Sequence, residues 1–200
     1  MPEALPQHEG LRERKRREMY QNLTETGLKL FAEQGFEATT LDDIARAAGI
    51  SRRTFFNYFS AKEEIILAWQ NGLPDALYAE MLRRGKTATP FGLVSEALMA
   101  MTINMSPDIA MLIARITQST EQLRLGNQMK FLRMEEAAHA ALCVLWPEKE
   151  RAQALKIAAM AGTGAMRIAV EAWLNEGCSR PLREYLESNI SVLHSAAIHP

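Results

Sequence analysis

The sequence predicts an all-α protein built from a small N-terminal three-helix domain and a larger helical domain. Alternation of apolar and polar residues with β-branched side chains, the pattern typical of strands, is almost absent. Ala, Leu, Met, Glu and Arg, which favour helices, recur at helical spacing throughout. Hydrophobic residues make up 48% of the 200 positions, enough to bury a core. We expect a disordered arm at 1–10, the small domain at 11–60 and the larger one at 61–200.

Net charge and composition restrict the classes of function. The formal net charge of -1 excludes a uniformly basic coat, so any nucleic-acid site must be a local patch. Cys143 and Cys178 are the two cysteines, a usage that fits a reducing cytoplasm. The most apolar stretch, 157–174, is interrupted by Arg167 and Glu171, and the N-terminus has no apolar signal core. We therefore expect a cytoplasmic protein without a membrane span.

The first helix is predicted from about Leu11 to Gln34, with Gly35 as its stop. The run RERKRR, 12–17, holds five cations and one acid at the entrance to this helix. Taken alone, such a run is more often a solvated helix face. Its Arg14 and Arg16 are nevertheless candidates for contacts with a phosphate backbone or a minor groove.

A second and a third helix follow closely. Thr40 is a predicted N-cap, and the carboxylates after it suit the positive end of a helix that ends at Ala48. Gly49 lies where the chain must reverse, a position that favours positive φ. Ser51 then opens a third helix.

Caps and prolines mark the later helices. Ser60 and Glu63 match the S-x-x-E capping box of a fourth helix, and Gly72 with Pro74 predicts an interruption or kink, and so a hinge, within it. Prolines at the boundaries favour further helices at 91–103, 107–118, 121–145, 149–175 and 181–196.

The stretch AAGISRRTFFNYF, 47–59, is the centre of a helix-turn-helix pattern that covers 41–60. Gly49 accounts for the turn. Phe55 and Phe59 are large rings that plug the core of a domain too small to fold without them.

Arg52 and Arg53 require another explanation, because cations in the first turn of a helix oppose its dipole. In a helix-turn-helix protein the N-terminal part of the second helix enters the major groove, where arginine can bond guanine O6 and N7. The pair therefore predicts a DNA-reading helix. The flanking candidates are Thr54, Phe56 and Asn57 beside the two arginines, and Tyr58, Lys62 and Thr40 for phosphate contacts.

A long stretch within residues 12–68 resembles the TetR family of bacterial transcriptional regulators, namely FAEQGFEATTLDDIARAAGISRRTFFNYFSAKEEII. The resemblance combines the helix end at Gly35, the turn at Gly49, the helix after it and the capped helix that follows. It implies a homodimer with an N-terminal DNA-binding domain and a helical effector domain. Such proteins are usually repressors that a small molecule releases from a double-stranded, palindromic operator, so we expect no enzyme activity and no cofactor.

The resemblance also implies which side chains contact DNA. Carried over position by position, they are Thr40, Ser51, Arg52, Arg53, Thr54, Phe56, Asn57, Tyr58 and Lys62. Phe56 departs from the family, since many members have tyrosine there, and a phosphate contact through a hydroxyl is lost. Arg53 stands where the family varies most, so the operator sequence is not predicted.

The second half resembles the effector domains of TetR regulators associated with acyl-CoA-like ligands, over SPDIAMLIARI, LRMEEAAHAAL and AGTGAMRIAVEAWLNEG. Methionine fills irregular apolar gaps, so a set of them indicates either an ordinary core or an adaptable interior for a small, largely apolar effector. The set is Met99, Met101, Met105, Met111, Met129 and Met134. The candidate ligand contacts are Met101, Met105, Met111, Phe131 and Met134.

The stretch 157–174 is apolar almost all round and rich in Ala and Gly, which predicts a helix buried on two sides. One side would face the effector core. The other, with 182–193 of the final helix, would pack against the same helices of a second chain. We expect a twofold four-helix interface made by the helices at 149–175 and 181–196.

Two further sequence patterns partly match motifs of other protein classes. GTGAMR, 162–167, begins like a nucleotide-binding glycine loop but lacks the final glycine and follows no strand, so we expect close helix packing. Glu136 and His139 form the E-x-x-H unit that di-iron bundles use twice, but the sequence has no second copy. We expect no metal site. A helical-bundle metalloenzyme is one alternative, and a DNA-binding architectural factor without a ligand is another.

Overall fold

A computed structural model describes residues 10–103, 105–118 and 121–198. These residues form helices and no strand, which confirms the all-α class. The arm predicted at 1–10 lies outside the described residues except for Gly10. In chain order the elements are α1 (Leu11–Gln34), α2 (Leu41–Ala47), α3 (Arg52–Phe55), α4 (Lys62–Arg84), α5 (Pro90–Met101), α6 (Pro107–Gln118), α7 (Glu121–Leu145), a short 3-10 helix (Lys149–Arg151), α8 (Ala152–Asn175) and α9 (Leu182–Ile198).

Most helix ends lie where the caps and prolines predict them. Helix α1 stops at Gly35, which has φ 87° and donates its N–H to the Phe31 carbonyl at 3.1 Å. The helix predicted from 149 differs at its start, because residues 149–151 form a 3-10 turn before α8 begins. There the Arg151 N–H donates to the Glu148 carbonyl at 3.0 Å, the tighter bonding that is common at helix ends.

Helix α4 continues without a break through Gly72 and Pro74, so the chain is not interrupted there, and the alternative expectation of a kink stays a prediction. Proline removes one amide donor from the helix. The turns after it are nevertheless fixed by packing, since Leu77 and Met81 are fully buried in a hydrophobic core and Leu73 packs against that core. Burial of these side chains outweighs the loss of one hydrogen bond.

The cap before α4 also differs from the predicted S-x-x-E box. The Ser60 N–H donates to the carboxylate of Glu64 at 2.8 Å, rather than to Glu63. The helix begins only at Lys62, one residue later than a three-residue spacing requires, so Glu64 is the carboxylate that reaches back. Hydrogen bonds from the Ser60 hydroxyl and from the Ser60 N–H lower the pKa of Glu64.

The chain divides into two compact units, with the boundary between Trp69 and Gln70 inside α4. The core of the first unit contains Leu23, Phe31, Ile44, Phe55, Phe59, Ile65 and Ile66. The core of the second unit is larger and includes Leu77, Met81, Leu93, Val94, Leu98, Leu142, Trp146, Leu155, Trp173 and Leu186. Each unit therefore has a hydrophobic core of its own.

Close packing of α5 against α8 explains the glycine of GTGAMR. Gly162 is buried, and a Cβ added to it would lie 2.4 Å from Val94 Cγ1. No side chain larger than hydrogen fits there without moving a helix. The predicted close helix packing is thereby confirmed. Gly164, two residues on, would meet nothing within 4 Å.

The structure corrects part of the predicted methionine interior. Met134 is buried, and Met99, Met101 and Met105 pack against the core of the second unit. Met111 and Met129 instead lie on the surface of the protomer, with 46% and 44% of their area exposed. The sequence shows that methionines recur, but not which face of α6 or α7 carries each one.

Both cysteines are free thiols, Cys143 exposed and Cys178 buried. Within the described part of the chain, no helix is long and apolar enough to cross a membrane. Among the same residues, no three His, Cys, Asp or Glu side chains cluster where they would hold a metal ion.

Candidate nucleic-acid interface

Helices α2 and α3 are joined by the tight turn that the sequence predicts. Gly49 has φ 69°, in the left-handed region that favours glycine. Its N–H donates to the Arg46 carbonyl at 3.1 Å, and the Ile50 N–H donates to the Ala45 carbonyl at 2.9 Å. These bonds close the end of α2 and direct the chain into α3. The helix-turn-helix predicted over 41–60 is therefore present.

Aromatic rings on the buried side of α3 fix this helix and the turn after it. Phe55 is fully buried, and its ring centroid lies 5.8 Å from that of Phe59, which is 2% exposed. Tyr20 of α1 stacks on Phe59 at 4.7 Å between centroids. The two phenylalanines are core plugs, as predicted. The contact between Tyr20 and Phe59 was not predicted. The two residues are 39 positions apart, and local sequence patterns do not show which distant residues meet.

Helix α3 is a single turn, and the polar residues around it face outward. Ser51 caps it by accepting the Thr54 N–H at 3.1 Å. Residues 56–58 continue as turns rather than as helix. Of the predicted DNA contacts, Ser51, Arg52, Arg53, Phe56 and Asn57 are exposed, and Thr54 and Tyr58 are partly buried. The structure thus brings seven predicted contacts together in one exposed segment, which we call the reading turn (51–58).

The two arginines of the reading turn differ in their surroundings. Arg52 Nη1 lies 3.1 Å from Asp42 Oδ2 of α2, and its guanidinium lies 5.6 Å from the centre of the Phe56 ring. Arg53 is exposed and has no hydrogen bond or ion pair among the described residues. The structure thus distinguishes two arginines that the sequence pattern treats alike. Because both partners of the Arg52 pair are well exposed, at 64% and 48%, the pair stabilises weakly and can exchange.

Thr40 caps α2 in a full capping box. Its hydroxyl donates to Asp43 Oδ2 at 2.6 Å and accepts the Asp43 N–H at 3.1 Å, and its own N–H donates to Asp43 Oδ2 at 3.1 Å. These hydrogen bonds from Thr40 lower the pKa of Asp43. The cap is as predicted. The hydroxyl is engaged by Asp43, so any phosphate contact at Thr40 competes with the cap.

Lys62 lies against the loop between α1 and α2 rather than projecting into solvent. Its Nζ donates to the Phe36 carbonyl at 2.7 Å and lies 3.4 Å from the Thr39 carbonyl and 3.5 Å from the Glu37 carbonyl. The ammonium also lies 4.3 Å above the Phe36 ring, and the side chain is only 21% exposed. An ammonium group has three N–H donors. All three are thus directed at the loop, and the geometry supports a loop-fixing role instead of the predicted phosphate contact.

Replacing Lys62 with methionine is expected to destabilise the first unit by about 1–2 kcal/mol, because three loop carbonyls lose a charged donor. Thermal unfolding measures this loss. Lys29→Met is the matched control, since the Lys29 side chain is 74% exposed, and it should leave the melting temperature unchanged. The salt dependence of DNA affinity separates the two roles. An unchanged slope supports the loop role, whereas a slope lower by about 0.9 for each Lys62 lost indicates a phosphate contact.

Thr39 is a second loop-fixing residue, a role that the sequence pattern does not predict. It is 1% exposed, and its hydroxyl donates to the Gly35 carbonyl at 2.7 Å. Gln34 Nε2 donates to the same hydroxyl at 3.2 Å. A threonine directly before an N-cap threonine was the available signal. Together with Lys62, it holds the loop that positions α2.

The basic run at the start of α1 adjoins the reading turn. A groove of about 340 Å³ is lined by Glu13, Arg16, Arg17, Tyr20 and Tyr58. Arg16 and Tyr58, both predicted to contact DNA, therefore share one concave surface. Arg14, the other predicted contact of this run, lies outside the groove and pairs with Glu18 at 3.5 Å.

The N-terminal part of the chain matches known regulators in sequence. The family model described as "Bacterial regulatory proteins, tetR family" matches residues 23–69. The HTH-type transcriptional regulator TcmR of Streptomyces glaucescens is 36% identical over 97 residues, which is 48% of this chain and 43% of that protein. The match thus spans less than half of this relative. The reading turn lies within the residues that the family model matches.

Solved structures share the fold over most of the chain. FadR of Thermus thermophilus, a TetR-family transcriptional repressor in complex with lauroyl-CoA, aligns with a TM-score of 0.58 and 21% identity over 87% of this chain and 92% of its own. FadR of Bacillus subtilis in complex with stearoyl-CoA aligns with a TM-score of 0.58 and 17% identity over 87% and 97%. The helix-turn-helix geometry and the sequence match at 23–69 make the N-terminal part of this chain similar to the tetR family of bacterial regulatory proteins, and the chain shares its fold with solved TetR-family structures over most of its length.

Proposed function

We propose that this protein is a ligand-responsive DNA-binding transcriptional regulator. It acts as a repressor that binds a palindromic operator as a dimer and is released by a small, largely apolar effector. The observation that carries the proposal is the reading turn, an exposed polar segment that a glycine turn and two buried rings hold rigidly on the surface of a family helix-turn-helix. Rigid presentation of polar side chains is what sequence-specific groove recognition requires.

Arg53 is the principal candidate for contact with a base edge. Its guanidinium is exposed and has no competing partner among the described residues. Arg52 can join it only after its pair with Asp42 is broken or shared. Asn57 and Thr54 supply further hydrogen-bonding groups beside them, and Phe56, which is 45% exposed, offers an apolar contact to a sugar or a thymine methyl. Two copies of the turn would enter successive major grooves about 34–36 Å apart.

Apolar residues exposed on α8 and α9 support the proposed homodimer. On α8 the inner side is buried, while Ile157, Met160 and Ile168 on the other side are each about half exposed. On α9, Val192 and Leu193 are exposed as well. This agrees with the expectation that the helices at 149–175 and 181–196 pack against their copies in a second chain, because burial of such side chains favours association.

The second unit supplies the proposed effector site. Two structural neighbours are complexes with lauroyl-CoA and stearoyl-CoA. In this chain Met101, Met105 and Phe131 are partly buried against the core, and Met134 is buried. We propose that these four side chains line the effector site, and that Met111, which is exposed, contributes only if the site opens at that surface.

Release of DNA requires coupling between the two functions. Pro74 leaves α4 without one hydrogen bond of its ladder, which lowers the cost of bending this helix at that point. We propose that effector binding shifts α4 and changes the separation of the two reading turns. A differential affinity of about 1–3 kcal/mol between the two states is enough to produce such coupling.

The proposal is tested by selecting genomic DNA fragments with the purified full-length protein. We expect an inverted repeat, bound by two protomers in sedimentation experiments and released when dodecanoyl-CoA is added. Selection of no common sequence would contradict the regulator. Binding of an operator that no acyl-CoA or fatty acid releases would favour an architectural factor instead.

A further inference from the structure

Three polar side chains of the second unit meet at one amide oxygen. Gln70 of α4 is 5% exposed and directs its Nε2 at Asn127 Oδ1 of α7, at 3.4 Å. Lys130 Nζ donates to the same oxygen at 2.9 Å. One amide oxygen therefore accepts from two helices. We call Gln70, Asn127 and Lys130 the polar cluster.

The polar cluster lies on the face of α7 that packs inward. Asn127, Lys130, Phe131 and Met134 are spaced i, i+3, i+4 and i+7, which places them on one side of a helix. Met134 is 3% exposed, and Phe131 packs against the core of the second unit. The ammonium lies 4.4 Å from the centre of the Phe131 ring. A cation is thus held beside apolar side chains.

Lys130 has no carboxylate partner to balance this charge. Among the described residues, no Asp or Glu oxygen lies within 4.0 Å of the Lys130 Nζ. Arg83, Arg84 and Arg124, by contrast, each pair with a glutamate. Desolvation of the ammonium lowers the pKa of Lys130 to about 8. Buried charges in proteins are normally paired, because an isolated one is costly to desolvate.

The geometry points to an anion as the missing partner. Asn127 uses one of the three donors of the ammonium, so donors remain for a ligand. We infer that Lys130, supported by Asn127 and Gln70, binds the anionic group of an amphipathic effector whose apolar chain lies along Phe131 and Met134. The anion is a carboxylate or a phosphate. This inference rests on the proposed effector site and specifies the chemistry of the ligand that the site takes.

The test compares three probes that carry the same twelve-carbon chain. Dodecanoate has a carboxylate, dodecanoyl-CoA has phosphates and dodecanol has no charge. Affinities are measured by titration calorimetry on full-length wild type, Lys130→Met and Lys130→Arg, with Lys149→Met as the control that removes an exposed lysine. Removal of a partly buried charge that has no carboxylate partner should not unfold the protein, and thermal unfolding verifies this.

We expect Lys130→Met to lower the affinity for the preferred anionic probe by about tenfold or more, because a charged hydrogen bond is lost. Dodecanol affinity should stay unchanged, and Lys130→Arg should keep the preference for an anion. Preference for dodecanoate identifies a carboxylate ligand, and preference for dodecanoyl-CoA identifies a phosphate ligand. If wild type and Lys130→Met bind all three probes alike, the anion site is wrong while the apolar effector site stands.

A further experiment applies if none of the three twelve-carbon probes binds. The ¹³C signal of the Lys130 Cε is then followed while acetate or inorganic phosphate is added. A saturable shift of that signal supports the anion site even though the apolar part of the proposed function has failed. No shift with either anion overturns the anion site as well.

Discussion

Replacing Arg53 with alanine is expected to weaken operator binding by about 1–3 kcal/mol for each protomer, which is about 5- to 150-fold in affinity. Arg53 is exposed, and no side chain among the described residues holds it, so nothing has to be broken before it reaches a base edge. Loss of a base contact also relaxes preference at one base pair in each half-site. Titration of wild type and variant on the selected operator and on single-base variants of it measures both effects.

Arg52→Ala is expected to have a smaller effect than Arg53→Ala. The Arg52 guanidinium already bonds Asp42, and part of what it gains from DNA replaces that pair. Lys29→Ala removes the same formal charge from an exposed position on α1 and serves as the control for a nonspecific loss of charge. Equal operator affinity of wild type and Arg53→Ala would contradict the role given to the reading turn.

Replacing Gly162 with alanine is expected to destabilise the second unit by up to about 3 kcal/mol. The added methyl carbon would lie 2.4 Å from Val94 Cγ1 and 3.2 Å from Val94 Cβ. Val94 is fully buried on α5, and a β-branched side chain in a helix has one strongly preferred rotamer, so it cannot turn aside. Helices α5 and α8 must separate instead. Thermal and urea unfolding measure the change.

Gly126→Ala is the matched control for this substitution. Gly126 also lies within a helix of the second unit, but a Cβ there meets nothing within 4 Å. The variant should gain up to about 1 kcal/mol, because alanine favours helix over glycine. Val94→Ala combined with Gly162→Ala should be less destabilised than the sum of the two single variants, since the methyl group then has room. Full additivity would rule out the contact with Val94 as the cause.

Features that depend on neighbouring residues were predictable from the sequence. The Thr40 cap, the Gly49 turn and the burial of Phe55 and Phe59 follow from short-range patterns, and the structure confirms them. The same holds for the helical class and for the close packing at Gly162. At each of these positions the local structure accepts only a few residue types, so the residue found there indicates the structure.

Features that depend on distant side chains were not predictable. Arg52 meets Asp42 only because the turn at Gly49 brings the start of α3 beside α2. Lys62 reaches carbonyls 23 to 26 residues earlier, so its engagement with the loop is invisible in the local pattern. The polar cluster joins Gln70 to Asn127 across 57 positions. Periodicity predicts which residues share a helix face, but not what that face meets.

Hydroxyl-radical footprinting with and without the selected operator tests the central claim most directly, namely that residues 51–58 form the surface that contacts DNA. Phe56 is 45% exposed and Met111 is 46% exposed, so the two are matched reporters in the reading turn and in the second unit. We predict that a saturating operator duplex lowers oxidation of Phe56 and Tyr58 and leaves Met111 unchanged. Unchanged oxidation of Phe56 and Tyr58 in the bound complex would contradict the account.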